Sequence, residues 1–209
     1  MHQRDDKIFI AVVDCTGHGV PGAFMSIIGI DLLRNIVAGQ KIDNPALILE
    51  ELSSELDQTL RKNDHNLLDP ESIRDGMDMA ICVLNTKEMT MQFAGAVNGI
   101  YLVSNNKLEN YKGDRVVIGR TIDGKVPEYS CQDVPISRGD MVYMFTDGYV
   151  DQFGGPDHKK FKHLRFRHLL LNIHELSTED QKSVLHQKIE EWRGEGEQTD
   201  DILVLGFRI

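Results

Sequence analysis

The hydrophobic positions of the chain fall into short unbroken runs in some segments and into helical spacing in others. Residues 7–13 form a β-branched and apolar run that is too short for a helix and therefore predicts a buried strand. Further strands are predicted at 77–84, 89–94, 100–103, 107–111, 126–134, 141–145 and 202–209. Turn-rich connections between most of them favour antiparallel pairing. The polar stretch 63–76 is predicted to be a loop.

Four helices are predicted around these strands. Pro21 suits the first position of a helix that ends at Gly39. Asn44 is a good cap for a second helix, whose apolar residues recur every four positions: Ile48, Leu52, Leu56 and Leu60. A third helix is predicted at 161–174, and a fourth begins after Ser177 and contains Trp192. Helices on both sides of a β-rich middle predict a four-layer α/β/β/α sandwich.

Composition narrows the classes of protein to be considered. The 209 residues are 41% hydrophobic and 27% charged, which predicts one globular domain over 1–209. A net charge of −10 argues against nucleic acid as a partner. The three cysteines have no metal-type spacing, and no signal peptide or run of 18 apolar residues is present. We expect a cytoplasmic chain without membrane insertion, either by itself or as the cytoplasmic part of a larger membrane or sensor protein.

Acidic residues mark the ends of three predicted strands. Asp14 follows the run 7–13, Asp147 follows 141–145, and Asp200 precedes 202–209. A carboxylate beside a buried strand is costly unless a cation meets it. Three such sites from distant parts of a sheet suit a hard divalent cation. For each aspartate considered alone, an ordinary turn residue is the preferred interpretation.

The motifs around these aspartates resemble a known family. Asp-Cys-Thr-Gly-His-Gly-Val-Pro at 14–21, Phe-Thr-Asp-Gly at 145–148 and Asp-Asp at 200–201 resemble the motif series of SpoIIE/RsbU-type bacterial serine/threonine phosphatases. These are relatives of the PP2C phosphatases, and the resemblance extends from about residue 7 to the end of the chain. It implies an α+β, PP2C-like fold of mainly antiparallel sheets. It also implies a protein phosphatase that acts as the output domain of a bacterial signalling protein.

The resemblance further implies a site with two Mn²⁺ or Mg²⁺ ions. Asp14 bridges the ions in such phosphatases, the backbone carbonyl of Cys15 adds a ligand, and Asp147 and Asp200 complete the protein ligands. A metal-activated water then hydrolyses phosphoserine or phosphothreonine. The implied substrate is a phosphorylated protein, for which an anti-sigma-factor antagonist is the usual example in the family. A homodimer is a further expectation.

Four other residues are candidates for roles around that site. Asp201 and Gly148 adjoin the metal ligands, and Asn98 lies in a glycine-rich turn where it could touch substrate. His18 is either a proton donor or a residue that shapes its turn.

Asp75 and Asp78 flank the start of a strand. One of them could point toward the acidic cluster, although an exposed strand-end carboxylate is the preferred interpretation.

One departure from the family concerns the beginning of the chain. The family starts with a strand that carries a Ser/Gly-Gly-Asp-Phe type motif, and nothing before Lys7 matches it. Residues 1–6 are predicted to be a polar lead-in, and the domain is expected to lack its first strand or strands. The alternative to an active phosphatase is therefore a catalytically silent regulatory or partner-binding domain with an incomplete metal site.

Overall fold

The computed structural model describes residues 1–17, 19–63, 76–119 and 125–209. Their strands are β1 (His2–Arg4), β2 (Lys7–Cys15), β3 (Met77–Asn85), β4 (Thr90–Ala96), β5 (Ile100–Ser104), β6 (Lys107–Tyr111), β7 (Gln132–Val134), β8 (Met141–Phe145), β9 (Phe153–Gly154), β10 (Lys159–Lys160) and β11 (Val204–Arg208). The helices are α1 (Gly19–Arg34), α2 (Pro45–Asn63), α3 (Gly148–Asp151), α4 (Lys162–Ile173) and α5 (Thr178–Arg193). The predicted loop at 63–76 lies almost entirely outside the described residues.

The chain forms two compact units with separate cores. Unit 1 comprises Met1–Gly99 and Lys112–Pro135, and unit 2 comprises Ile100–Tyr111 and Ile136–Ile209. Unit 1 contains a sheet of order β1-β2-β3-β4-β7, and unit 2 a sheet of order β11-β8-β5-β6. Every paired strand that the structure describes runs antiparallel to its neighbour. The prediction of an α+β fold with antiparallel sheets is confirmed.

Helix α2 supplies much of the core of unit 1. The Asn44 side-chain oxygen accepts hydrogen bonds from the backbone N–H groups of Ala46 and Leu47 at 2.9 and 3.2 Å, so the predicted cap is confirmed. Three apolar residues that recur at every fourth position are fully buried against the strands: Ile48, Leu52 and Leu56. Helical periodicity therefore identified this element and its buried face.

Helix α1 begins at Gly19, slightly before the predicted Pro21, and continues into a π-helical segment, Asn35–Gly39. Among the described residues, Gly19–Gly39 is the single helical stretch long and apolar enough to cross a membrane by length and composition. Core helices and signal sequences meet the same criterion, so it is weak evidence for a span. Its solvent-facing side is apolar, with Val20, Phe24 and Ile27 all more than 60% exposed.

Aromatic packing dominates the core of unit 2. Tyr149 stacks on Phe166 with ring centroids 4.7 Å apart, and Phe145 meets the edge of the same Phe166 ring at 5.0 Å. The buried Tyr143 hydroxyl donates to Gln181 of α5 at 2.7 Å. The predicted start of α5 is confirmed, because the Ser177 hydroxyl accepts from the Asp180 backbone N–H at 3.1 Å.

The predicted strand at 126–134 is wrong for most of its length, since only Gln132–Val134 pairs as β7. Upstream of β7 the backbone bonds to side chains instead of a strand. The Tyr129 N–H donates to Glu50 at 3.3 Å, and the Ser130 N–H donates to Asp114 at 2.7 Å. The apolar character of this segment reflects burial of the Tyr129 ring, not pairing in a sheet.

The polar lead-in predicted at 1–6 is also wrong in part, because His2–Arg4 pairs with Lys7–Phe9 as strand β1. Asp5 turns the chain with a positive φ of 52°. The Arg4 guanidinium lies 5.0 Å from the centre of the Phe9 ring, and it pairs with Asp43. This polar segment thus forms a strand because its backbone pairs with the edge of β2 and because Arg4 contacts the Phe9 ring and the Asp43 carboxylate.

Candidate active site

In unit 1, Asp14 and Cys15 are the last two residues of β2, and the turn that follows them is tied to β3. The Thr16 N–H and hydroxyl both donate to the Gly76 carbonyl oxygen at 3.0 Å. The same hydroxyl accepts from the Gly76 N–H at 2.7 Å. These three bonds fix the backbone just beyond Asp14 against the beginning of the neighbouring strand.

Glycine is required in the turn that connects Asp14 to helix α1. Gly17 and Gly19 have positive φ angles of 93° and 68°, which side chains disfavour. A Cβ atom on Gly22 would lie 2.7 Å from the Gly17 carbonyl oxygen, so the helix approaches the turn closely. His18, predicted as a proton donor or turn-shaping residue, lies outside the described residues.

Asp14 has a second carboxylate directly opposite it. Strands β2 and β3 pair so that Asp14 faces Asp78, and Cys15 faces Met77. Asp78 is half-buried, not exposed as the sequence suggested, and Asp75 lies outside the described residues. Like charges at directly opposite positions of an antiparallel pair destabilise each other. A divalent cation with oxygen ligands would relieve that repulsion, so these residues fit a hard cation.

Asn98 lies beyond the end of β4, at the same end of the sheet. Ala96 pairs with Met79, the neighbour of Asp78, and Asn98 follows two residues later. Val97 between them has a positive φ of 64°. The Asn98 side-chain nitrogen is buried without a hydrogen-bond partner among the described residues. Its amide is therefore a buried donor with spare capacity, and the predicted contact with substrate stays a prediction.

In unit 2, Thr146 joins the ends of β8 and β11. Its hydroxyl donates to the Asp201 carbonyl oxygen and accepts from the Leu203 N–H, both at 3.0 Å. Its own N–H donates to the Leu203 carbonyl oxygen at 3.1 Å. Because Thr146 is only 4% exposed, its hydroxyl bonds are made away from water. They hold the segment of Asp200 beside Asp147.

Gly148 allows that segment to come close. A Cβ atom at this position would lie 2.3 Å from the Asp201 carbonyl oxygen, a distance that no side chain tolerates. The Asp201 N–H donates to the Asp200 carboxylate at 2.7 Å. Gly148 and Asp201, both predicted around the metal ligands, thus shape the backbone on which Asp147 and Asp200 are presented.

The carboxylates of Asp147 and Asp200 are electrostatically coupled. Partial burial raises the pKa of Asp147, and the charges of Asp200 and Asp151 raise it further. Lys160, which pairs with Asp151 at 2.7 Å, acts in the opposite direction. A partly buried carboxylate beside other negative charges is an environment that favours a bound cation.

Gln152 is a structural residue that sequence reasoning missed. It is fully buried, and its side-chain nitrogen donates to the Phe153 and Glu197 carbonyl oxygens at 3.0 and 2.9 Å. Its side-chain oxygen accepts from the Thr199 N–H at 3.2 Å. Gln152 therefore anchors the segment that leads into Asp200. A buried glutamine follows no periodic pattern, so only its position shortly after the Thr-Asp-Gly turn could have indicated this role.

The predicted ligand Asp14 thus lies opposite Asp78, which was not a predicted ligand, in unit 1. The predicted ligands Asp147 and Asp200 lie near each other in unit 2. No group of three or more His, Cys, Asp or Glu side chains with the arrangement of a metal site is found among the described residues. The chemistry of each pair nevertheless suits Mn²⁺ or Mg²⁺, because both ions prefer carboxylate oxygen. The complete ligand set remains a prediction.

The comparisons with known proteins identify the class. The family model of stage II sporulation protein E (SpoIIE) matches residues 4–209. The SiaA PP2C domain of Pseudomonas aeruginosa is 30% identical, with a TM-score of 0.85 over 100% of this chain and 78% of that one. The protein is thus a PP2C-type phosphatase domain by fold. More narrowly, the chain belongs to the SpoIIE family.

More distant structures support the fold alone. The RsbU and RsbW domains of a Mycobacterium tuberculosis protein are 20% identical, with a TM-score of 0.70 over 97% of this chain and 52% of that one. RsbX in complex with magnesium is 15% identical, with a TM-score of 0.62 over 99% and 83%. No curated protein matches the sequence significantly. The predicted PP2C-like fold and the resemblance to SpoIIE/RsbU-type phosphatases are confirmed.

Proposed function

We propose that this chain is a metal-dependent protein serine/threonine phosphatase. The observation that carries the proposal is the coupling of Asp147 to Asp200 at the joined ends of β8 and β11, in a chain of the SpoIIE family. Two adjacent carboxylates are costly without a cation, and family membership supplies the reaction in which a cation would serve. The magnesium in the RsbX structure supports a divalent ion of this type.

The proposed roles of the residues rest on membership of the SpoIIE family. Asp14, the Cys15 carbonyl, Asp147 and Asp200 would hold Mn²⁺ or Mg²⁺, and two ions are expected. Bound divalent ions lower the pKa of water and neutralise charge on phosphoryl oxygens. Asp78 would add negative charge beside Asp14, and the Asn98 amide would donate to a phosphoryl oxygen. Overall, water adds to phosphorus, the bond to the serine or threonine oxygen breaks, and inorganic phosphate and the free hydroxyl are released.

The proposed setting is a bacterial signalling protein in the cytoplasm. We propose that residues 1–209 act as one domain and that the substrate is a phosphorylated protein. The resemblance to SpoIIE/RsbU-type phosphatases favours an anti-sigma-factor antagonist as this substrate, and the Mycobacterium tuberculosis structure, which contains RsbU and RsbW domains, is consistent with a protein partner. A homodimer is compatible with this setting.

Phosphate release from a phosphoserine-containing protein tests the proposal directly. Activity should require Mn²⁺ or Mg²⁺ and disappear with EDTA. The Asp147→Asn variant should lose at least about 100-fold in rate, since a metal contributes several kcal/mol to the barrier. Asp157→Asn is a matched control, because Asp157 is exposed and pairs only with Lys159 among the described residues. Metal-independent release, or full activity of Asp147→Asn, would refute the assignment.

A second candidate function is a catalytically silent regulatory or partner-binding domain with an incomplete metal site. It is favoured by the fact that the described carboxylates occur in pairs and not in groups of three. Calorimetric titration with Mn²⁺ distinguishes the two candidates. Binding at micromolar concentration together with phosphate release supports the phosphatase. No binding at millimolar concentration, in a chain with a cooperative unfolding transition, supports the silent domain.

A further inference from the structure

Residues 158–168 form a basic segment in an otherwise acidic chain. They comprise three lysines, two arginines and three histidines, with no aspartate or glutamate. The whole chain has 23 Lys and Arg against 33 Asp and Glu. The basic segment lies in unit 2 and includes β10 and the beginning of α4. A run of charge can be no more than a solvated surface, so the contacts of its members decide whether they are available to a ligand.

The two lysines of β10 are paired with carboxylates. Lys159 pairs with Asp157 at 3.1 Å, and Lys160 pairs with Asp151 at 2.7 Å. The Asp151 N–H in turn donates to the Asp147 carbonyl oxygen at 2.9 Å. The Lys160 charge also acts on the Asp147 carboxylate. The basic segment therefore begins beside the candidate site, but these two lysines are already neutralised.

Lys162 and Arg165, by contrast, have no ion pair among the residues that the structure describes. Both are exposed, and they lie three residues apart in α4, so their side chains share one face of the helix. The Arg165 guanidinium lies 4.8 Å from the centre of the Trp192 ring and donates to the Phe161 carbonyl oxygen at 3.1 Å. These contacts orient the guanidinium without neutralising its charge.

The beginning of α4 is held against the segment that follows Asp147. The Phe161 N–H donates to the Gln152 carbonyl oxygen at 3.0 Å, and Gln152 directly follows α3. Helix α3 itself begins at Gly148, the residue after Asp147, and packs against α4. Lys162, the residue after Phe161, is therefore carried by the part of α4 that is tied to the candidate site.

Backbone stability does not explain a lysine at position 162. Lys162 has a positive φ of 72°, a conformation that costs a lysine more than a glycine. It also lies in the first turn of α4, where a cation opposes the helix dipole. Local rules that a sequence breaks in this way point to a role in function. The charge of Lys162 is the property that such a role would use.

We propose that Lys162 and Arg165 determine substrate specificity by binding acidic side chains close to the phosphorylated residue of a protein substrate. The inference rests on the proposed phosphatase function and names its substrate class, a phosphoprotein with aspartate or glutamate near the phosphoserine or phosphothreonine. Charge complementarity favours this occupant, because a chain with a net charge of −10 repels an acidic segment except where cations are exposed. The same net charge argues against nucleic acid, a much longer polyanion.

A phosphoserine peptide with glutamate at the second to fifth positions on both sides is the probe. The same peptide with glutamine in place of glutamate is its matched control. In an extended peptide these positions lie about 7–17 Å from the phosphoserine. Phosphate release by the full chain with Mn²⁺ gives kcat and KM, and fluorescence anisotropy in EDTA gives binding without turnover. The glutamate peptide should bind at least about threefold more tightly, as one or two exposed ion pairs allow.

The double variant Lys162→Gln, Arg165→Gln should remove this preference. The change should appear mainly as a rise of about 3–10-fold in KM for the glutamate peptide, because the contacts are made equally in the ground state and the transition state. Lys162→Gln alone remains informative if replacing Arg165 destabilises unit 2, and Arg165→Lys should keep most of the preference.

The matched control is the double variant Lys87→Gln, Arg138→Gln, which removes the same two charges. Lys87 is exposed in the turn between β3 and β4, and Arg138 is exposed before β8, at the opposite end of that strand from Asp147. This control should keep the preference for the glutamate peptide. An equal loss in both double variants would attribute the preference to net charge and overturn the inference.

The remaining outcomes separate the inference from the proposed function. Equal binding of the two peptides by the parent chain overturns the inference, and so does binding of a single-stranded oligonucleotide as tightly as the glutamate peptide. An acidic region of the same protein that occupied this surface would also give equal binding. Absence of phosphate release from either peptide would refute the proposed function instead, and anisotropy would still decide whether Lys162 and Arg165 bind acidic segments.

Discussion

Asp14 and Asp78 face each other directly across the antiparallel pairing of β2 and β3. We therefore expect Asp78 to strengthen cation binding by the Asp14 carboxylate. Asp78→Asn removes one negative charge at nearly constant size and should weaken Mn²⁺ binding about 10-fold, as loss of a group next to a metal ligand typically does. Isothermal titration calorimetry measures this change, and the Mn²⁺-induced rise in melting temperature should shrink in parallel.

The matched control for Asp78 is Glu88→Gln. Glu88 is exposed in the turn between β3 and β4, at the far end of the strand from Asp78, and its substitution removes the same charge. Equal losses of Mn²⁺ affinity in both variants would attribute the effect to net charge, not to the pairing with Asp14. An unchanged affinity in Asp78→Asn would exclude Asp78 from the site.

The hydroxyl of Thr146 should be essential for the geometry around Asp147 and Asp200. Thr146→Val keeps the shape of the side chain but leaves the Leu203 N–H and the Asp201 carbonyl oxygen, both in partly buried hydrogen bonds, without this partner. The expected loss in the free energy of unfolding is about 1–3 kcal/mol. Hydrogen exchange at Leu203 should accelerate more than exchange in α5, which reports local opening.

Thr199→Val is the control for that experiment, because Thr199 is exposed in the same connecting segment. Its unfolding free energy should stay within about 0.5 kcal/mol of the parent value. If Thr146→Val were equally mild, the two hydrogen bonds of the Thr146 hydroxyl would contribute little to holding Asp200 beside Asp147.

A methyl group at Gly148 should displace the segment that carries Asp200. The added Cβ would lie 2.3 Å from the Asp201 carbonyl oxygen, which is backbone and cannot turn aside. Gly148→Ala should therefore cost about 1–3 kcal/mol in stability and also weaken Mn²⁺ binding. Gly196→Ala is the comparison, since its Cβ would come no nearer than 3.1 Å to the Arg193 carbonyl oxygen. A smaller loss in Gly148→Ala than in Gly196→Ala would contradict the role of Gly148.

The fold was predictable from the sequence where a local signal coincided with a buried contact. The Asn44 cap and the four-residue spacing of Ile48 and Leu52 predicted helix α2. The apolar run 141–145 predicted strand β8 with the bounds that the structure has. Pairing, by contrast, depends on partners that no local pattern reveals. The segment before Gln132 is apolar enough for a strand, but its backbone bonds to Glu50 and Asp114 side chains instead.

In the candidate site, too, local motifs predicted some features, whereas features that depend on distant residues were not predictable. The motifs predicted Asp14, Asp147 and Asp200 beside strands. In the structure Asp14 is the last but one residue of β2, Asp147 follows β8 by two residues, and Asp200 precedes β11 by four. The position of Asp78 opposite Asp14 depends on the register of β2 with β3, which the residue spacing along the chain does not fix. The anchoring by Gln152 similarly depends on carbonyl groups 45 residues further along the chain. The motifs therefore indicated which aspartates are candidate metal ligands. The contacts that position those aspartates could not be predicted from the motifs.

The pair formed by Tyr101 and His163 should make unit 2 sensitive to mild acid. The Tyr101 hydroxyl lies 3.0 Å from Nδ1 of His163. Burial lowers the pKa of His163, and the nearby Arg167 charge lowers it further, although Asp151 and Asp147 act in the opposite direction. An unfolded histidine has a pKa of about 6.5, so the unfolded chain binds this proton more readily than the folded chain.

The sign of the pH dependence follows from that difference. Stability rises with pH wherever the unfolded state binds more protons, so His163 should contribute a loss of stability as the pH falls below about 6.5 towards its lower folded pKa. His163→Gln removes this contribution, and the melting temperature of the variant should fall less steeply than that of the parent between about pH 7.5 and 5. His168→Gln, on the same helix but without a side-chain hydrogen bond among the described residues, serves as the control. Parallel curves for the parent and His163→Gln would show that the proton is bound equally well in the folded and unfolded chains.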